Sequence, residues 1–183
     1  MSDDHPPPPV ARVLILEDDP SDAELARRLL TSARLSFSAV VVDTRTAFTE
    51  QLTALSPDVI ISDFSLPGFS GADALQIAQA QCPEIPFIIW SGALGDEAAV
   101  ELIKQGATDY ILKDRPARLA SAVDRALTEA RQRARLAQIE GQLGYAHRLA
   151  GLGHLRAAEQ AMSRTRQLLD TARREVTAPD PPP

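Results

Sequence analysis

The chain has 183 residues, of which 44% are hydrophobic, and its formal net charge at pH 7 is −6. This is enough for one well-buried domain and a helical appendage, but too little for two full domains. No apolar run approaches the roughly 18 residues of a membrane span, and the start of the chain lacks a signal-peptide pattern. The chain has a single cysteine, Cys82, which excludes an internal disulfide. We therefore expect a cytoplasmic protein with no membrane partner.

The charges are unevenly distributed along the chain. Residues 1–114 carry 7 basic and 18 acidic side chains, a net charge of −11, whereas residues 115–183 carry 12 basic and 7 acidic ones, a net charge of +5. The basic residues of the second part alternate with acidic ones at helical spacing and have almost no aromatic neighbours. This pattern is typical of a solvated helix face, which we favour over a nucleic-acid-binding surface.

Apolar runs and helical patterns alternate through the first part of the chain. The runs are almost continuously apolar, which predicts strands buried on both faces, and hence a doubly wound parallel sheet between two layers of helices. Residues 1–9 predict a disordered, proline-rich start. Strands are predicted at 10–16, 37–42, 59–63, 86–91 and 108–112, and helices at 23–34, 44–55, 71–81, 96–105 and from 116 onward.

Chemically distinctive side chains stand at the ends of four predicted strands. Glu17 and Asp18 follow the first strand, Asp63 ends the third, Ser91 ends the fourth and Lys113 follows the fifth. A parallel sheet gathers such residues at one edge. Clustered carboxylates favour a hard divalent ion, Mg²⁺ or Mn²⁺, and the whole set suits phosphoryl transfer onto Asp63. Any one of these residues alone would be an ordinary cap or loop residue; their joint order points to function.

Four motifs in this region resemble those of response-regulator receiver domains of two-component systems. The resemblance covers residues 10–130 and implies a five-stranded flavodoxin-like sheet of strand order 2-1-3-4-5. The motifs are Leu16-Glu17-Asp18-Asp19-Pro20, Asp63-Phe64-Ser65-Leu66-Pro67-Gly68, Trp90-Ser91-Gly92 and Gly106-Ala107-Thr108-Asp109-Tyr110-Ile111-Leu112-Lys113.

The resemblance also implies roles for single residues. Asp63 would accept the phosphoryl group from a sensor histidine kinase, and Lys113 would bind that group. A protein of this kind catalyses only its own phosphorylation and dephosphorylation. The implied ligands of Mg²⁺ (or Mn²⁺) are Asp18, Asp63, Glu17 through water and the backbone carbonyl of Ser65, and the implied switch residues are Ser91 and Tyr110.

Residues 131–176 predict a helical dimerisation extension, followed by a disordered proline-rich tail at 177–183. Two coiled-coil registers are out of phase, and Gly151 and Gly153 stand between them, so a kinked helix and a helical hairpin are both open. Residues 141–155 weakly resemble the first dimerisation helix of histidine kinases, without its phosphoacceptor histidine. The registers are Leu136, Ile139, Leu143, Ala146 and Leu155, Ala158, Met162, Thr165, Leu169, Ala172, Val176.

These features predict a response regulator without a DNA-binding domain, which signals through protein–protein contacts as a homodimer. The alternative is a regulator whose basic helical tail binds RNA, as in antitermination. A phosphatase working through an Asp63 phosphoenzyme is a third class, but it would need a second carboxylate where Ser65 stands.

Overall fold

The computed structural model describes residues 10–92, 96–152 and 154–176. The predicted disordered segments, 1–9 and 177–183, lie outside these residues. The chain divides into two compact units, with the boundary between Ala130 and Arg131. The elements are β1 (Ala11–Leu16), α1 (Pro20–Ser32), β2 (Phe37–Val42), α2 (Arg45–Ala54), β3 (Val59–Ser62), β4 (Ser65–Leu66), β5 (Phe69–Ser70), α3 (Gly71–Gln81), β6 (Phe87–Ser91), α4 (Asp96–Lys104), β7 (Asp109–Leu112), α5 (Ala117–Gly151) and α6 (Leu155–Val176).

A five-stranded sheet forms the centre of the first unit. Its strand order is β2-β1-β3-β6-β7, and every neighbouring pair is parallel. Counted along the chain, these five strands follow the order 2-1-3-4-5. The predicted fold class, a doubly wound flavodoxin-like sheet with a C-terminal helical extension, is confirmed. The order reverses at β1, and open α/β sheets bind ligands at such a reversal, beyond the carboxyl ends of the strands.

The core lies on both faces of this sheet, as the continuous apolar strands predict. Alternate residues of β1 point to opposite sides: Val13 and Ile15 join the cluster that contains α1 and α5, while Leu14 and Leu16 join the cluster that contains α2, α3 and α4. All four side chains are at most 1% exposed. Helices therefore pack on both faces of the sheet, and the register of its strands sets the spacing of the residues at its carboxyl edge.

One local feature differs from the sequence-based prediction. The segment after Asp63 forms a small antiparallel hairpin of β4 and β5, with Gly68 in the left-handed region at φ 70°. Helix α1 begins at Pro20, a residue type that the sequence favours at a helix start, and the Asp19 side chain caps it by accepting a hydrogen bond from the Ser21 N–H at 2.7 Å.

The second unit is an antiparallel hairpin of α6 and the part of α5 beyond residue 130. The Arg135 guanidinium donates to the Leu168 carbonyl at 3.0 Å, and the Thr165 hydroxyl lies 3.4 Å from Gln142 Oε1. These contacts decide between the two predicted forms of the tail in favour of the hairpin. Although α5 has 35 residues, no helix in the described part of the chain is both long and apolar enough to cross a membrane.

Candidate phosphoryl-transfer site

The sheet brings the predicted site residues to one edge. Beyond β1, the Glu17 N–H donates to the Val42 carbonyl at 2.9 Å, and beyond β3 the Asp63 N–H donates to the Leu16 carbonyl at 2.8 Å. Beyond β7, the Lys113 N–H donates to the carbonyl of Ser91 at 2.9 Å. Each functional side chain therefore stands one step past its strand, on backbone that the sheet still holds.

The Lys113 ammonium lies among three carboxylates. Its Nζ atom is 2.7 Å from Asp22 Oδ2, 2.8 Å from Glu17 Oε2 and 3.2 Å from Asp63 Oδ2. The Lys113 side chain is only 14% exposed and that of Glu17 only 1%. An ammonium group has three N–H donors, so these contacts use all of them.

Burial and charge shift the acidity of two of these groups. Burial raises the pKa of the Glu17 carboxyl group above its usual range, and the hydrogen bond from Lys113 offsets only part of this effect. Burial alone would lower the pKa of Lys113, but the hydrogen-bonded carboxylates of Asp22 and Glu17 outweigh it and raise that pKa. Lys113 is therefore a fixed cation over the whole neutral range.

Three carboxylates form a candidate cation site beside this lysine. Glu17, Asp18 and Asp63 each offer one oxygen atom, and the three atoms lie within 4.8 Å of one another. Glu17 is buried, Asp63 half-buried and Asp18 exposed, so the cluster opens to solvent on the Asp18 side. With Asp22 and Lys113, the formal charge of the group is −3. An all-oxygen donor set with this excess of negative charge fits Mg²⁺ or Mn²⁺.

Backbone contacts fix the orientation of the Asp63 side chain. The Phe64 N–H donates to Asp63 Oδ1 at 2.6 Å, which leaves Oδ2 facing Lys113. The Asp63 carbonyl accepts a hydrogen bond from the Ser62 hydroxyl at 2.7 Å. Ser65, two residues on, begins β4 and pairs with Ser70 across the small hairpin. The loop that carries Asp63 is therefore held at several points.

Ser91 and Tyr110 occupy the neighbouring strands β6 and β7. Ser91 is the last residue of β6 and is 2% exposed. Tyr110 is half-buried, its hydroxyl oxygen is shielded from solvent, and its ring packs against the core cluster of α2, α3 and α4. Tyr110 and Lys113 are three residues apart along the end of β7, so one strand connects the core with the charged edge.

Two residues near the lysine were not predicted from the sequence. Asp22, in the first turn of α1, makes the shortest of the three contacts to Lys113. The Trp90 ring centroid lies 5.3 Å from Lys113 Nζ, within cation–π distance. The sequence holds no signal for Asp22, because an acidic residue in the first turn of a helix is common and its contact with Lys113 arises only from the fold.

Comparison with known proteins agrees with this architecture. The family model of the response regulator receiver domain matches residues 13–124. The chain belongs to this family. Receiver domains are regulatory modules that bind Mg²⁺ at an acidic pocket and interact with sensor histidine kinases.

Individual relatives match the receiver part of the chain. The DNA-binding transcriptional regulator NtrC of Klebsiella pneumoniae is 34% identical over 99 residues, which is 54% of this chain and 21% of NtrC. The transcriptional regulatory protein FixJ of Bradyrhizobium diazoefficiens is 30% identical over 119 residues, 64% of this chain and 57% of FixJ. The chain thus spans about a fifth of the first relative and somewhat over half of the second.

A solved structure supports the fold. A CheY-like response regulator receiver domain protein from Methanospirillum hungatei superposes with a TM-score of 0.61 at 21% identity, covering 68% of this chain and 99% of the other. At this identity the likeness concerns the fold of the receiver domain alone.

Proposed function

We propose that this protein is a phosphorylation-controlled switch in which Asp63 accepts a phosphoryl group from a sensor histidine kinase. The observation that carries the proposal is the position of Asp63 Oδ2, which is 3.2 Å from the Lys113 ammonium. The same carboxylate contributes an oxygen to the acidic cluster with Glu17 and Asp18. A carboxylate between a fixed cation and a cation site is suited to attack a highly charged phosphoryl group.

In the proposed transfer, a carboxylate oxygen of Asp63 attacks the phosphorus atom of a phosphohistidine. A P–O bond forms as the P–N bond breaks, and the leaving imidazole keeps the electron pair of that bond and takes up a proton from solvent. The product is an acyl phosphate on Asp63. The Phe64 N–H, 2.6 Å from Asp63 Oδ1, holds the carboxylate in one rotation, so the nucleophile is oriented before the donor arrives.

Glu17, Asp18, Asp63 and the backbone carbonyl of Ser65 are the proposed ligands of Mg²⁺. The bound ion would supply positive charge to the phosphoryl oxygens. Lys113 has a related role, because its ammonium can exchange its contact with Asp63 for one with a phosphoryl oxygen while Asp22 and Glu17 keep it in place. Lys113 would therefore have a negatively charged partner at this position both before and after the transfer.

Ser91 and Tyr110 are the proposed switch residues. The Ser91 hydroxyl at the end of β6 would donate a hydrogen bond to a phosphoryl oxygen. A movement of the β7 end toward the phosphoryl group would change the packing of Tyr110 against its core cluster, because Tyr110 lies on β7 and Lys113 directly follows that strand. This would couple the charge at Asp63 to the surface around β7.

The proposed output is protein–protein contact through residues 131–176, including self-association into a homodimer. Large apolar side chains stand exposed on this hairpin, among them Leu136, Met162 and Leu169, which favours a protein partner over the alternative of RNA. The proposal places the protein in the cytoplasm, in keeping with its single cysteine. Its only catalysis is its own phosphorylation and dephosphorylation.

The test uses acetyl phosphate as the donor, with Mg²⁺, and intact-mass spectrometry of the full chain. We expect one phosphoryl group on the wild type and none on Asp63→Asn. The matched control is Asp43→Asn, because Asp43 also follows a strand of the sheet and is exposed, but lies outside the acidic cluster. Undiminished labelling of Asp63→Asn would rule out the proposed acceptor.

A further inference from the structure

The helical hairpin uses only half of its apolar repeat to hold its own two helices together. The side chains of Ile139 and Ala146 on α5, and of Ala158 and Thr165 on α6, are at most 7% exposed. Each pair is spaced by seven residues, so each forms one line along its helix. The cross-helix contacts from Arg135 to Leu168 and between Gln142 and Thr165 run beside these lines.

The other half of the repeat is open. Within the described part of the hairpin, five large non-aromatic side chains are 44–65% exposed, and within each helix they too are seven residues apart. We call this set the open stripe. It consists of Leu136 and Leu143 on α5 and of Leu155, Met162 and Leu169 on α6.

The open stripe is a single surface formed by both helices. Leu143, Met162 and Leu169 line the same groove, so side chains from α5 and α6 lie next to each other. Residues seven apart stay on almost the same side of a helix, drifting by only about 20°, so the remaining members continue this surface in both directions. A two-helix unit leaves such a stripe uncovered, whereas a four-helix bundle buries it.

Charged residues along the edge of the open stripe indicate which partner covers it. Glu140, Glu159 and Arg166 are exposed, and each stands four residues after one stripe residue and three before the next. This spacing puts all three at the outer edge of the stripe, opposite the buried line. Glu159 and Arg166 line the groove directly.

This edge is complementary to itself. Two hairpins can pack face to face around a two-fold axis in two ways, with α6 against α6 or with α6 against α5 of the other copy. In the first, antiparallel, arrangement Arg166 lies across from Glu159 of the other copy, and in the second it lies across from Glu140 of the other copy. In either arrangement Arg166 faces a glutamate of the other copy. The charges along the open stripe are therefore complementary to those of a second copy of the same chain.

We propose that a second copy of this chain covers the open stripe, giving a four-helix bundle in which Arg166 of each copy faces a glutamate of the other. The inference rests on the proposed self-association through residues 131–176 and gives it a surface and a charge pattern. It does not depend on the chemistry at Asp63.

The first experiment measures the mass of the full chain in solution by analytical ultracentrifugation. We expect a dimer for the wild type, and for Met162→Glu a dimer dissociation constant weakened by about 10²-fold or more, because the change buries an unpaired charge. Tyr145→Glu is the matched control: Tyr145 is 54% exposed and lies two residues from Leu143, on the far side of α5. This variant should stay dimeric. A monomeric wild type, or equal effects of the two variants, would overturn the proposal.

A charge exchange tests the pairing of Arg166. Arg166→Glu should weaken the dimer, because it places two acidic side chains opposite each other. If α6 packs on α6 of the other copy, the added change Glu159→Arg should restore the dimer. If α6 packs on α5 of the other copy, the added change Glu140→Arg should restore it. Restoration by either change supports the proposal, and restoration by neither contradicts the ion pair. Acetyl phosphate labelling of Met162→Glu separates the two proposals, since this variant should be phosphorylated like the wild type even when it is monomeric.

Discussion

Gly71, the first residue of α3, is the position where one added methyl group should disturb the site most. A Cβ atom there would lie 2.6 Å from the Asp63 carbonyl oxygen and 2.9 Å from the Phe64 Cα, both backbone atoms. Ordinary contact begins near 3.4 Å, so α3 and the Asp63 loop would have to separate by about 0.8 Å. That shift would also strain the hydrogen bond from the Gly71 N–H to the Phe64 carbonyl, now 2.8 Å long.

We expect Gly71→Ala to destabilise the fold, although a change from glycine to alanine in a helix usually stabilises a protein. Alanine in an unhindered helix position stabilises a protein by about 0.5–1 kcal/mol relative to glycine, whereas overpacking costs about 1–3 kcal/mol. Because the overpacking cost is the larger of the two, we expect a net loss of about 1 kcal/mol in the free energy of unfolding. The assay is urea unfolding followed by the fluorescence of Trp90, the only tryptophan, which is fully buried in the receiver core.

The same variant should slow phosphorylation, because Asp63 moves relative to Lys113. A misplacement approaching 1 Å costs up to about 10²-fold in rate. The control is Gly141→Ala, where an added Cβ meets nothing within 4 Å and the residue lies in the other unit. This control should leave both the Trp90 unfolding midpoint and the labelling rate unchanged. If Gly71→Ala is as stable as the wild type and is labelled as fast, the reasoning about this contact is refuted.

Three further predictions concern the charged groups. Lys113→Met should slow labelling by acetyl phosphate by about 10²-fold, the typical cost of losing one preorganised electrostatic contact; an unchanged initial rate in the mass assay would contradict its role. The hydrogen bond from the Ser70 hydroxyl lowers the pKa of Asp73. A carboxyl group whose pKa is lower in the folded than in the unfolded state stabilises the fold at a pH above its unfolded-state pKa. This stabilisation is lost as the pH falls through the folded-state pKa, because the carboxylate is then protonated. Asp73→Asn should therefore lower the urea midpoint at pH 7 but match the wild type in strong acid, and a difference that is constant with pH would count against this. Finally, Mg²⁺ should change the fluorescence of Trp90, because the Trp90 ring lies 5.3 Å from the Lys113 ammonium beside the cation site. Asp18→Asn should remove this change. The same Mg²⁺ titration curve for the wild type and for Asp18→Asn would speak against the cation site.

The sheet and its charged edge were predictable because they follow from local patterns. Strands buried on both faces need continuous apolar runs, such as the three residues that begin β3, Val59, Ile60 and Ile61. Parallel strands bring their carboxyl ends to the same edge of the sheet whatever the lengths of the loops between them. The positions of Asp63 and Lys113 follow from these two facts. Their contact, at 3.2 Å across 50 residues of chain, is a consequence of the strand order.

The parts that were not predictable depend on packing rather than on pattern. Asp22 reads as an ordinary acidic residue in the first turn of α1, and only the position of Lys113 in space makes it a partner. The hairpin of β4 and β5 has strands of two residues, too short to show a periodicity. In the tail, the heptads mark Ile139 and Leu143 alike as seam residues, yet the structure buries the first and exposes the second.

The most direct test of the central claim is to locate the phosphoryl group within the chain. After reaction with acetyl phosphate and Mg²⁺, borohydride reduces an acyl phosphate to an alcohol, and peptide mass spectrometry then identifies the reduced residue. The account predicts homoserine at position 63 and unreduced carboxyl groups at Glu17 and Asp18, which share its acidic cluster, and at Asp22, which contacts Lys113. Reduction at any of these three residues, with Asp63 intact, would contradict it.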